Sequence, residues 1–140
     1  MDTHYIFYSD SFSPTQGELD EEHDDYINPG IFAKELADFL EEKLLEHGYN
    51  VIFRCPEDWG HWLELEHEGG YTLAVGCANT GEVEEGAAQH RVFLSPDKPF
   101  VKKLFRRIDV SSDIERLSGT IKSILAAENR VTKILVEESY

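Results

Sequence analysis

Apolar and polar positions along this chain alternate in two rhythms, and the rhythm changes several times. Thr3 to Tyr8 is β-branched and aromatic and predicts a first strand. Ser9 to Asn28 is polar and acidic, carries Pro14 and Gly17, and predicts a long loop. From Phe32 the rhythm is helical: Phe32, Leu36, Phe39, Leu40 and Leu44 recur on one face, with Glu35, Asp38, Glu41 and Glu42 elsewhere. Asn28-Pro29-Gly30 is expected to start that helix, Asn28 as N-cap and Pro29 at the first helical position. Gly48 is expected just past its end in the left-handed conformation, so the helix should run from about 29 to 47.

A period of two then takes over. Tyr49 to Cys55 predicts a strand that Pro56 stops. His61 to Glu68 and Tyr71 to Ala78 predict a hairpin around Gly69-Gly70. Its register follows from the apolar face. Pairing Leu65 with Leu73 or Val75 gathers Leu63, Leu65, Leu73, Val75 and Cys77 together, and the turn between should hold three residues with a left-handed glycine. Trp62, Glu64, Glu66, Thr72 and Ala74 then fall on the outer face. Gly81 to Ala87 reads as a second acidic loop, and Gln89 to Ser95 as a strand buried on both faces.

Pro99 is expected to open a short amphipathic helix with Phe100, Val101, Leu104, Phe105 and Ile108 turned inward. Ser112-Asp113-Ile114-Glu115 has the form of a capping box. Ile114, Leu117, Ile121, Ile124 and Leu125 make the stripe of a second long helix ending near Glu128, and Val131 to Val136 predicts a last strand. The alternation of single helices with a run of strands predicts one α+β domain over residues 1–140. Its architecture should be a mostly antiparallel sheet with two main helices on one face, a two-layer sandwich.

Charge narrows the functional classes. The chain carries 28 acids and 13 bases, net −15. Residues 1 to 97 hold 22 of the acids and 4 of the bases; residues 98 to 140 hold 6 and 9. A surface so short of cations argues against direct nucleic-acid binding and against docking on anionic membranes. The start of the chain lacks a basic n-region and an apolar h-region, which predicts a cytoplasmic protein with reduced cysteines. Five bases fall together at Lys98, Lys102, Lys103, Arg106 and Arg107. They offer a site for an acidic partner or a phosphate, or simply a solvated face.

Candidate chemistry is sparse. There is no His-x-x-x-His, no Cys-x-x-Cys, no nucleophile elbow, no phosphate loop and no dinucleotide fingerprint, so neither a metal nor a cofactor is expected. Cys55, Asp58 and His61 could converge across a turn. Cys77 could pair with His90 or His61 as a thiol–imidazole couple. Yet Cys77 lies on a predicted core stripe, where cysteines are inert. The most unusual segment is Glu57-Asp58-Trp59-Gly60-His61-Trp62, which crowds two carboxylates, two indoles and an imidazole around one turn. It could bind a ligand or partner, perform acid–base chemistry with a carboxylate desolvated by tryptophan, or merely close the turn through Asp58 with Trp59 capping the core.

The Asn28-Pro29-Gly30 start, the Glu57-Asp58-Trp59-Gly60 turn followed by Trp62, the Gly76-Cys77 pair and the basic, aromatic Lys98-Pro99 to Arg107 segment together resemble a family of small bacterial proteins. The resemblance spans about residues 3 to 136. It implies a bacterial cytoplasmic protein and carries no activity and no site residues.

Binding is therefore favoured over catalysis. The leading expectation is an acidic protein-binding module of the immunity or inhibitor type, directed at a basic partner. A second is a small-ligand protein or enzyme built on the Glu57 to Trp62 turn. A third is a homo-oligomeric structural module in which the basic segment of one copy meets the acidic face of another. The expected contact residues are Glu57, Asp58, Trp59, His61, Trp62, Lys102, Lys103, Arg106 and Arg107, with no catalytic residue assigned.

Overall fold

A computed structural model of the chain describes residues 1–138. The strands are β1 (Asp2–Ser9), β2 (Val51–Glu57), β3 (Gly60–Leu65), β4 (Leu73–Glu84), β5 (Ala87–Ser95), β6 (Phe100–Lys103), β7 (Arg106–Asp109) and β8 (Thr132–Glu138). The helices are α1 (Gln16–Leu19), α2 (Lys34–Glu46) and α3 (Ser111–Ala127). The fold class is the expected α+β. All six expected strands join one antiparallel sheet in the order β2-β3-β4-β5-β1-β8, and β6 and β7 form a separate hairpin.

The strand directions explain why both long helices share a face. Alternating directions make β2 run the same way as β1, and β8 the same way as β5. Each connection must therefore cross the sheet, and α2 and α3 do so. Such crossovers have one strongly preferred hand. A half-turn about the sheet normal superimposes one connection on the other, so a common hand puts both helices on one side. Leu36, Leu40 and Leu44 of α2 and Ile114, Leu117 and Ile121 of α3 meet Tyr5, Phe7, Leu63, Val75 and Val92 in one core.

Local signals decide where each helix begins and ends. Asn28-Pro29-Gly30 is a turn and not a helix start: the Ile31 N–H donates to the Asn28 carbonyl at 3.2 Å, with Gly30 at φ +81°. That is the type II arrangement that proline followed by glycine favours. The helix begins four residues later, at Lys34, without a side-chain cap from its own N-cap residue. Its first N–H donates instead to Glu18 Oε2 at 3.1 Å. At the other end Gly48 is left-handed as expected. Tyr49 N–H reaches Leu44 O at 2.8 Å and Gly48 N–H reaches Leu45 O at 3.0 Å, a Schellman closure. The expected Ser112 capping box is absent. Asp109 takes the Ser111 N–H and hydroxyl, and α3 starts at Ser111. Five buried Leu and Ile side chains on α3 outweigh a missing cap, since each contributes about 1.5–3 kcal/mol and a cap only about 1 kcal/mol.

The long loop after β1 is more structured than its polarity suggests. Thr15 and Glu18 form a reciprocal capping box around α1. Phe12 packs its ring against Phe7, Phe39 and His90. Glu18 is only 2% exposed.

Four further expectations are corrected. Pro56 does not stop β2; it lies within it, opposite His61, because β2 is an edge strand whose outer N–H positions need no partner. The β3–β4 connection keeps the Leu65–Leu73 register with Gly70 left-handed, but the ladder ends there and residues 66–72 form a seven-residue loop. The segment 81–87 is not a loop. β4 and β5 continue past a bulge to a tight turn in which Glu85 and Gly86 both have positive φ, as a hairpin of the I′ type requires. The basic segment is not a helix either. Val101 pairs with Ile108 on the side that meets the core, and Leu104-Phe105 form the tip of the β6–β7 hairpin. Val101 and Ile108, both β-branched, stand directly opposite each other, a pairing that suits strands.

Candidate functional site

The sheet has two ends of different character. At one end lie the close of β1, the α1 segment, the β2–β3 turn, the β4–β5 turn and the start of α2. Hydrogen bonds bind these pieces together: Asn28 Nδ2 to Asp58 O, Phe32 N–H to Asn79 Oδ1, Asn79 Nδ2 to Gly30 O, and Ser13 N–H to Glu35 Oε2. Exposed Asp20, Glu21, Glu22, Asp24, Glu57, Asp58, Glu82, Glu84 and Glu85 all belong to this end. Lys133 pairs with Glu84 at 2.6 Å and holds that carboxyl below its ordinary value. Exposed Leu19 and Val83 add apolar surface among the acids.

The residues from Glu57 to Trp62 do not converge. Glu57 pairs with Gly60 across a turn made of Asp58 and Trp59, and both carboxylates are exposed. His61 faces the core, whereas Trp62 faces the open side of the sheet and donates to Glu64 Oε1 at 3.1 Å. Trp59 does not cap the core; it lies against Phe93 with ring centroids 5.0 Å apart, on the open side. Phe93 in turn stacks on His4 and fills the space over Gly76. Alternation along β3 thus puts the imidazole and the Trp62 indole on opposite faces. Cys55 sits opposite Trp62, so it is also separated from His61. Among the described residues no three His, Cys, Asp or Glu side chains gather to hold a metal ion.

Two buried histidines lie on the core side of this end. His90 is fully buried, ringed by Phe7, Phe12 and Phe32, with centroids 5.5, 5.7 and 6.1 Å away. Among the described residues neither of its ring nitrogens has a hydrogen-bond partner, and the same holds for His61. Burial pulls the His90 pKa down to about 4. Burial, then the Arg54 guanidinium, lowers that of His61. Cys77 is wholly buried, its Sγ–H directed at the His61 carbonyl at 3.7 Å, and burial pushes its thiol up to about 12. A thiol so reluctant to ionise is not a nucleophile.

The opposite end carries the β6–β7 hairpin. Lys102 stands directly opposite Arg107, and Lys103 opposite Arg106. Like charges facing each other across two strands are unfavourable. Leu104 is held at φ +56°, which costs a branched residue about 1 kcal/mol. Leu104 and Phe105 are 94% and 105% exposed. Arg107 lies 3.6 Å over the Phe100 ring, and Lys103 Nζ donates to Gly70 O at 2.8 Å, so two of the four cations are partly engaged. Beside the hairpin is a cleft of about 600 Å³ lined by Asn50, Glu66, His67, Glu68, Asp113 and Arg116, among others. There the Tyr71 hydroxyl donates to Asp113 Oδ2 at 2.7 Å, and His67 Nε2 lies 3.5 Å from the same oxygen. Burial, then the bond to Asp113, raises the Tyr71 pKa.

The structure therefore scatters the expected contact residues: Glu57 and Asp58 on the acidic end, Trp59 and Trp62 on the open face of the sheet, His61 against the core, and Lys102, Lys103, Arg106 and Arg107 on the hairpin. It adds the Leu104-Phe105 tip and the His67, Tyr71 and Asp113 cluster. That cluster had only a faint signal, two aromatic rings flanking Gly69-Gly70, and Asp113 is distant in sequence. Comparison with known proteins gave no significant match to a family model, a curated sequence or a solved structure. No helix among the described residues is long and apolar enough to cross a membrane.

Proposed function

We propose that the chain is a protein-binding module whose acidic end engages a basic partner, in the manner of an immunity or inhibitor protein. The observation that carries this reading is the gathering of three acidic segments, 20–25, 57–58 and 82–85, at one end of the sheet. Like charges collected on one surface repel, and an opposite charge relieves that repulsion. Leu19 and Val83 supply apolar contact within the same end, as interface centres require. We also propose that the chain belongs with the small bacterial proteins it resembles, a grouping that carries no activity.

Capture on the immobilised chain from lysate of its own cells tests the reading. A basic polypeptide should be held at low salt and released below about 0.5 M NaCl, where the screening length falls under about 5 Å. A variant carrying Asp20→Asn, Glu21→Gln, Glu22→Gln and Asp24→Asn should lose it. Retention by that variant, or release insensitive to salt, counts against the proposal.

A second reading concerns the hairpin alone. Two like-charge cross-strand pairs, a strained Leu104 and an exposed Leu-Phe tip all work against hairpin stability. Departures of this kind concentrate at functional surfaces. They favour a separate contact with an anionic protein surface that offers an apolar pocket for the tip.

A further inference from the structure

His90 lies where the sheet meets the segment that crosses its acidic end. One wall of its cage is fixed, since Phe7 stands directly opposite His90 in the β1–β5 pairing. The other wall comes from residues 10–32, between β1 and α2. Phe12 and Phe32 stand at 85° and 88° to the imidazole plane. Of residues 10–32 only Phe12 and Glu18 are buried. The segment is otherwise tied down by single hydrogen bonds: Phe32 N–H to Asn79, Ser13 N–H to Glu35, Asn28 to the Asp58 carbonyl, and Lys34 N–H to Glu18. A segment with so few buried contacts opens locally at less cost than the sheet beneath it.

Both ring nitrogens of His90 are buried without a hydrogen-bond partner among the described residues. A neutral imidazole there leaves one donor and one acceptor unmet; an imidazolium leaves two donors and a charge. No wall of the cage supplies an opposite charge. β1 presents Phe7, and residues 10–32 present Phe12 and Phe32. β4 places Asn79 opposite His90, with its amide already engaged by the Phe32 N–H and the Gly30 carbonyl. Beyond these rings the Arg130 guanidinium lies 4.8 Å from the Phe12 ring centre and 5.2 Å from that of Phe39 on α2, and it is itself a cation. The carboxylates of this region are engaged elsewhere: Glu35 by the Ser13 N–H, and Glu18 by the Thr15 and Lys34 N–H groups. His61, the other buried histidine of this face, has a different setting, in which Arg54, Glu18, Asp38 and Lys34 act on it. Moving Phe12 and Phe32 aside admits water to both nitrogens of His90 without breaking a strand pairing.

We propose that residues 10–32 form an acid-opened strap, released from the sheet when His90 takes a proton, while the sheet and α3 stay folded. The acidic run 20–25 rides on this strap, so opening separates it from 57–58 and 82–85. Where the acidic end is a partner surface, as proposed above, acid then lets the basic partner go; the opening itself does not depend on that reading. The sign follows from the cage. The closed state excludes the proton and the open state accepts it, so closure is favoured above about pH 6.5 and weakens as pH falls from there toward 4.

Amide hydrogen exchange of the chain alone, at pH 7 and pH 5 and corrected for intrinsic rates, tests the proposal without any partner. The opening equilibrium should rise about twentyfold between these values. The Thr15, Glu18, Phe32 and Lys34 amides should lose protection by about that factor, while those of Leu117 and Ile121 in α3 keep theirs. His90→Phe and His90→Leu both fill the cage with a side chain that takes no proton, and in either the strap should be protected equally at the two pH values. His61→Leu should retain the acid opening. Unchanged strap protection in the parent overturns the proposal, as does the same acid loss in both His90 variants. So does loss of the effect in His61→Leu, or loss of α3 protection in step with the strap. A decalysine peptide at low salt reads the consequence: its affinity should fall between pH 7 and pH 5 more in the parent than in His90→Phe. Equal falls would detach the strap from the acidic end, whereas no binding at pH 7 would count against the partner reading alone.

Discussion

Close approach dictates two glycines. An added Cβ at Gly60 would lie 2.1 Å from the Cys77 carbonyl oxygen, which belongs to the neighbouring strand and cannot turn aside. At Gly76 it would lie 2.2 Å from the Phe93 ring, a half-buried side chain able to swing. Gly60→Ala is therefore expected to destabilise by about 2–3 kcal/mol or more in urea denaturation. Gly76→Ala should cost less and shift tryptophan emission by moving Phe93 off Trp59. Equal losses from both would contradict this account of the open face. His90 sets a pH dependence. Its folded value near 4 lies below the ordinary 6.5, so the unfolded chain takes the proton first. Its contribution is fully present above about pH 6.5 and fades as pH falls from there toward 4, by up to roughly 3 kcal/mol. Urea melts at pH 7 and 4.5 should show a smaller acid loss in His90→Leu than in the parent. Neither residue class announced itself in the sequence. A buried unpaired histidine has no periodic signature, and Gly60 looked like part of a turn when its constraint comes from β4.

At the scale of elements, periodicity was legible and punctuation only in part: Gly48 closes α2 as its sequence predicts, whereas the start of that helix was misread. The stripes of α2 and α3 and all six sheet strands follow from spacing, because burial imposes those periods. Asn28-Pro29-Gly30 misled because the same residue types cap helices and make type II turns, and Gly30 at positive φ decides for the turn. The cap of α2 came from Glu18, sixteen residues upstream, through a contact that spacing does not encode. Glu18→Ala leaves the Lys34 and Thr15 N–H groups without that carboxylate, and should cost about 2–3 kcal/mol and raise amide exchange through residues 12–34. Unchanged exchange there would show that Phe12 alone anchors the segment. The basic stretch misled because its apolar doublets, Phe100-Val101 and Leu104-Phe105, recur at helical spacing, whereas the structure turns the second doublet out as the hairpin tip. Leu104→Gly should remove the left-handed strain and stabilise the hairpin by about 1 kcal/mol, seen as slower exchange of the Val101 and Ile108 amides. A neutral or destabilising result would mean that the tip is not strained.

For the molecule as a whole, strand order organises the charge. Charge asymmetry was visible in the sequence, but not its consequence, because a sequence does not say which loops share an end. The antiparallel order brings 20–25, 57–58 and 82–85 together and sends Lys102, Lys103, Arg106 and Arg107 to the other end. Alternation along β3 divides the Glu57 to Trp62 residues between two faces, which the crowded sequence had suggested were one site. An acidic end opposed to one where acids and bases are mixed predicts that a basic partner associates in a fixed orientation, at a rate that falls steeply with ionic strength. The most direct measurement is native mass spectrometry of the tagged chain purified gently from its own cells at low salt. It would be made on the parent, on the variant neutralised at Asp20, Glu21, Glu22 and Asp24, and on Phe105→Ser. The account predicts a heavier species containing a basic polypeptide in the parent and in Phe105→Ser, and its loss from the neutralised variant. An acidic polypeptide lost only from Phe105→Ser, or a partner indifferent to the neutralised acids, would contradict it.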